Sequence, residues 1–175
     1  MTAVPIERQG QQVAADLAPA KDIVGGDEQD TFLLHTMADD AKRYISSFPW
    51  CKAVLDSHFG GGVGGIFAVF LFHIKPGRID VAPWIWVVVG DIPSAYLPLT
   101  DCEAPVEVFR AYIRGMRNWI ELARRGQKGT PEQGVPPVDV PATPEWAERL
   151  NQRLNGLILA VKPFFEDGSN ADTVQ

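Results

Sequence analysis

Cysteine is scarce in this chain, positive charge is outweighed, and no long apolar run occurs. Each shortage removes a class of protein. Cys51 and Cys102 are too few for a disulfide framework, and neither belongs to a Cys-x-x-Cys pair of the kind used for zinc or thiol exchange, so a reducing compartment is expected. Sixteen Lys and Arg stand against 22 Asp and Glu, a net charge of −6, which argues against nucleic acid as the main partner. The longest uncharged stretch, Ser57 to Ile74, holds five glycines and two histidines, and its dense apolar part is only Ile66 to Ile74. A spanning helix needs ~20 mostly apolar residues, so this reads as a buried strand and no membrane association is expected. The N-terminus shows no apolar h-region of a secretory signal, which makes the cytoplasm the expected location. Also missing are a Gly-x-Ser-x-Gly elbow, a His-Glu-x-x-His pair, a dinucleotide fingerprint and carboxylates paired by spacing, and no cofactor or metal is expected.

What the chain does contain is enough apolar material for one packed core: 46% of its 175 residues are hydrophobic and 10% aromatic. Residues 1–29 lack a sustained period and read as a flexible N-terminal arm, and removal of residues 1–25 should leave the rest folded; residues 166–175 read as a flexible acidic tail. Residues 30–165 form the expected domain. Asp30 is placed to cap a helix with Leu34, Met37, Ala41, Tyr44 and Phe48 at helical spacing, which must stop before Pro49. From Trp50 the period changes to 2, predicting strands over 51–59, 65–74 and 83–90, with a short fourth piece near Ala95 to Leu97. Short connections make this an antiparallel meander. A helical stripe returns over 104–126, a proline-rich strap follows, and Thr143 and Pro144 open a last helix stopped near Pro163. The fold class is therefore α+β, a three- or four-stranded antiparallel meander with three helices in the order αβββαα.

Several residues could carry chemistry or recognition. The run Phe59 to Gly65 lacks the following Lys-Ser/Thr or helix N-terminus of a phosphate loop, so it reads as a bulged hairpin connection. A glycine-lined ligand edge at Gly61 and Gly62 is the functional alternative. His35 and Asp39, at i and i+4, could supply two metal ligands but have no local companions; His73 reads as a hydrogen-bonded side chain at a strand end. A Cys51–His58 dyad meets the objection that residues seven apart on a strand face opposite ways unless a bulge intervenes. Asp91 leaves a buried strand at a turn, either as a turn cap or as a lone catalytic carboxylate. Trp84 and Trp86 share a strand face, as core or as an aromatic binding groove. Arg110, Arg114, Arg117, Arg124 and Arg125 stand against Glu107 and Glu121, a local balance of +3 that reads as a solvated face or as a site for an acidic partner.

The stretches FPWCKAVLDSHFGGGVGGIFAVFLFHI, PWIWVVVGDIPSAYLPL and VPATPEWAERLNQRL resemble a set of small bacterial proteins of unknown function, over Phe32 to about Phe165. The resemblance implies a bacterial cytosolic origin and assigns no residue a role. With no convergent reactive set visible, the expected function is a non-enzymatic protein-interaction module, regulatory or immunity-type, with a protein partner. A small hydrolase or transferase using Asp91 or His58 near the glycine loop is the first alternative, and a small-ligand binding domain the second. Strands 65–74 and 83–90 are apolar on both faces, so either the helices cover both or a homodimer buries one.

Overall fold

The structure is a computed structural model that describes residues 4–136 and 138–170, the side chains of 166–170 excepted. In chain order the elements are helix α1 (Ile6–Ala15), strand β1 (Ala18–Pro19), a single 3-10 turn (Ala20–Asp22), helix α2 (Glu28–Ser46), strands β2 (Cys51–Val63), β3 (Phe67–Pro76), β4 (Trp84–Gly90) and β5 (Ala95–Pro98), and helix α3 (Pro105–Arg124). A second 3-10 turn (Pro131–Gln133) and helix α4 (Pro144–Asn170) complete it. The strands form one antiparallel sheet in the order β1-β2-β3-β4-β5, each beside its sequence neighbour. The α+β meander thus stands, with five strands and four helices among the described residues in place of three or four strands and three helices.

Alternation along β3 divides the core. Phe67, Val69 and Leu71 point to one face, where Trp84, Trp86 and Val88 join them and α1, α3 and α4 lie on top. Ala68, Phe70, Phe72 and Ile74 point to the other face with Ile85, Val87 and Val89, beneath α2 and Ile23. Each fully buried Phe, Leu or Val in this double layer contributes about 1.5–3 kcal/mol. Helices thus cover both faces of β3 and β4, whose apolar residues are buried within one subunit.

The segment expected to be an arm contains α1, packed on the sheet. Ile6, Gly10, Val13, Ala14 and Leu17 follow helical spacing, but two of the five are too small to mark a stripe in the sequence. Gly10 lets the helix backbone touch the Trp84 ring. Glu7 Oε2 accepts a hydrogen bond from Trp84 Nε1 at 3.1 Å and lies 3.3 Å from His73 Nε2, while the His73 and Trp84 rings stack 4.2 Å apart.

Three smaller corrections share a cause in tertiary contacts. Asp27, not Asp30, caps α2, its carboxylate accepting from Asp30 N; Asp30 instead accepts from Gly26 N and Gly64 N, fastening the glycine turn to the helix. Strand β2 runs on through the glycines to Val63, because Gly61 and Gly62 keep pairing with Val69 and Ala68. Helix α4 continues through Pro163: Val161 and Phe165 are buried on either side of it, and the residue whose carbonyl Pro163 leaves without a donor, Leu159, is exposed to water. Residues 166–170 of the expected tail are thus helical, and 171–175 lie outside the described residues.

Candidate functional site

The predicted residues fall into three groups. Trp84 and Trp86 are core: Trp86 is fully buried with its Nε1 donating to Cys102 O at 2.8 Å, so neither ring lines a binding groove. Gly61 and Gly62 lie against the protein's own chain. Their φ values of 139° and 157° disfavour side chains, and a Cβ on Gly61 would stand 3.3 Å from the Phe165 ring while one on Gly62 would strike the β3 backbone. The glycines are there so that α4 and β3 can approach.

The proposed catalytic residues are not brought together. His58 pairs across from Leu71 while Asp91 N bonds to Ile66 O, five residues along the same strand, or about 17 Å at ~3.3 Å per residue. Asp91 is exposed and 3.7 Å from Arg153. It borders a cavity of about 470 Å³ that also takes in Asp40, Thr36 and Ser94; Asp40 pairs with Arg43, and no histidine, cysteine or lysine is in the lining. His58 is nearly buried, its Nε2 lies 3.9 Å from Asp56 Oδ2, and its buried Nδ1 has no hydrogen-bond partner among the described residues. Two register shifts in β2 cancel between Cys51 and His58, which pair with Pro76 and Leu71, an odd number of residues apart on β3, so the two side chains still face opposite ways, and the Cys51 thiol donates to Ala53 O at 3.9 Å. Burial raises the thiol pKa at both cysteines, with Glu107 and Asp101 adding to the rise at Cys102, the opposite of what a nucleophile needs. His35, expected on a solvated flank, is half-buried and bonds through Nε2 to Ile23 O at 3.0 Å. Among the described residues no three His, Cys, Asp or Glu are placed to hold a metal ion, and no helix is long and apolar enough to cross a membrane.

The arginines behave differently. Arg110, Arg114 and Arg117 follow one another at steps of four and three along α3 and line a cleft of about 440 Å³ between α3 and α4. Its apolar floor is Phe109 and Ile113, and α4 contributes Ile158 and Lys162. Among the described residues no acidic side chain lines it. The acids on the same stripe of α3 are engaged elsewhere: Glu107 accepts from Glu103 N, and Glu121 pairs with Arg124 at 2.6 Å. Arg124 also reaches Glu148 of α4 at 3.7 Å, so this helix pair neutralises an arginine at one end and leaves three without an ion pair in the middle, among the described residues.

No family model, curated protein or solved structure matches the chain, so this geometry is the ground for a functional reading.

Proposed function

We propose that the protein is a non-enzymatic interaction module, regulatory or immunity-type, that holds an acidic protein partner in the cleft between α3 and α4. One observation supports this above the others: in a chain of net charge −6, three guanidiniums share one helix face beside an apolar floor, with no carboxylate lining the cleft among the described residues. Like charges three and four residues apart cost a helix a few tenths of a kcal/mol per pair, a cost that an acidic partner would turn into a gain. Guanidinium groups also suit the task, because their planar fork meets a carboxylate with two parallel hydrogen bonds. The hydrolase or transferase reading finds less support, since Asp91 and His58 stand apart and the thiols are shifted away from reactivity.

Affinity capture tests the proposal. Wild-type protein and the triple variant Arg110→Glu, Arg114→Glu, Arg117→Glu are immobilised side by side and exposed to extract of the producing cell. The expected partner is retained by the wild type, lost by the variant, and released at about 0.5 M salt, where screening shortens the reach of exposed charges to a few Å. Identical capture by both proteins would sink the idea. All three side chains are exposed, so the variant should fold normally, which circular dichroism checks.

A further inference from the structure

Resting on that reading, we infer that the cleft takes a single acidic helix, one whose carboxylates recur at steps of three and four on a face that also carries an apolar side chain. The pitch of the arginine row is the first reason. From Arg110 to Arg117 the row advances seven residues, about 10.5 Å at 1.5 Å per residue, close to two helical turns. A helix lying along the groove presents carboxylates at the same pitch, whereas an extended chain presents alternate side chains every ~6.6–6.8 Å and falls out of step over three contacts.

Cleft size and the chemistry of its walls are the second reason. A volume of about 440 Å³ admits a row of side chains and leaves the partner's backbone above the rim, the usual arrangement when an amphipathic helix lies in a groove. Partly exposed Ile158, above buried Phe109 and Ile113, gives the cleft an apolar spot beside the arginines that charge alone would leave unmatched. Complementarity thus specifies two features of the partner on one face: carboxylates over α3 and an apolar residue over the boundary with α4.

Fluorescence anisotropy with defined peptides on the full chain tests this. The first probe is a labelled helical peptide with Glu at steps of three and four and Leu beside them. A second has the same composition scrambled so that the helical face is broken, a third has Gln for every Glu, and a fourth is a labelled oligothymidylate. The helical Glu peptide is expected to bind at least about tenfold more tightly than the others. Arg110→Glu, Arg114→Glu and Arg117→Glu should each weaken it about tenfold or more, the range for losing one charge-assisted hydrogen bond. Equal binding of the scrambled peptide, tighter binding of the oligonucleotide, or no effect of the arginine variants overturns the inference. If the helical peptide fails while the triple variant still loses its cellular partner, the helical partner is wrong and the interaction reading stands. Should the triple variant keep every cellular partner, the interaction reading falls as well.

Discussion

Two glycines in helices carry opposite expectations at the scale of single residues. Gly10 lies in α1 against the Trp84 ring, so close that an added Cβ would overlap the indole. Helix propensity alone favours Gly→Ala by about 1 kcal/mol, but overpacking against a buried ring costs about 1–3 kcal/mol, and Gly10→Ala should be net destabilising. Gly156 in α4 has open space around its Cβ position, so Gly156→Ala should stabilise by about 0.5–1 kcal/mol. Urea unfolding midpoints of the two variants, moving in opposite directions, check the pair. Two tyrosines set the behaviour at high pH. Burial, reinforced by Tyr96, pushes the Tyr44 hydroxyl up to about 12; burial, with a smaller contribution from Tyr44, raises that of Tyr112, which donates to Pro93 O at 2.8 Å. An unfolded tyrosine ionises near 10, so above that pH the unfolded chain holds fewer protons than the folded one and stability falls as pH rises. The contribution is intact below about pH 10 and is lost progressively toward pH 12. Tyr112→Phe should flatten that loss in unfolding midpoints taken across the range, while lowering stability at neutral pH by about 1 kcal/mol for the missing hydrogen bond.

At the scale of elements, α1 is the piece whose weight the fold reveals. Deleting residues 1–25 removes α1 and β1 along with buried Ala14, Ala20 and Ile23, and takes away the Glu7 partner of Trp84 and His73. Burial of Ile23 alone corresponds to about 1.5–3 kcal/mol. The truncated chain should therefore unfold at clearly lower urea, with its tryptophan emission shifted to the red as Trp84 meets water. An unchanged midpoint would mean that α1 rests on the sheet without stabilising it. Strand β2 illustrates the same dependence on neighbours. Among the described residues its outer edge is paired only at His58 and Phe59, and three register irregularities together with Lys52 and Asp56 make it a poor template for another strand.

For the whole molecule, the two-sided sheet makes a definite prediction about the effect of charge. Val69 lies under α3 and α4 and Val87 under α2, both fully buried. Val69→Asp and Val87→Asp should each destabilise the subunit by at least about 3 kcal/mol, because an unpaired carboxylate is forced into a dry layer. If either face were instead the interface of a homodimer, the same substitution would dissociate the pair and leave the subunit folded. Sedimentation equilibrium combined with circular dichroism separates the two outcomes.

The sequence by itself determined the elements whose large apolar residues keep one period: the α2 stripe, the doubly apolar β3 and β4, and the α3 stripe that ends near Gly126. It also singled out Arg110, Arg114 and Arg117, since residue spacing on a helix fixes which side chains share a face. Tertiary structure decided the rest. Helix α1 exists because small residues let its backbone meet Trp84, and a Gly or Ala contact face leaves no apolar period to read. The glycines of β2 became strand because Phe165 and β3 fill the space a ligand would need, and α4 passed Pro163 because buried Val161 and Phe165 hold it on the sheet. Only the antiparallel packing of α4 on α3 turned a charged helix face into a cleft with an apolar floor. The cleft is lined by two elements distant in sequence, and local spacing carries no information about which surfaces meet.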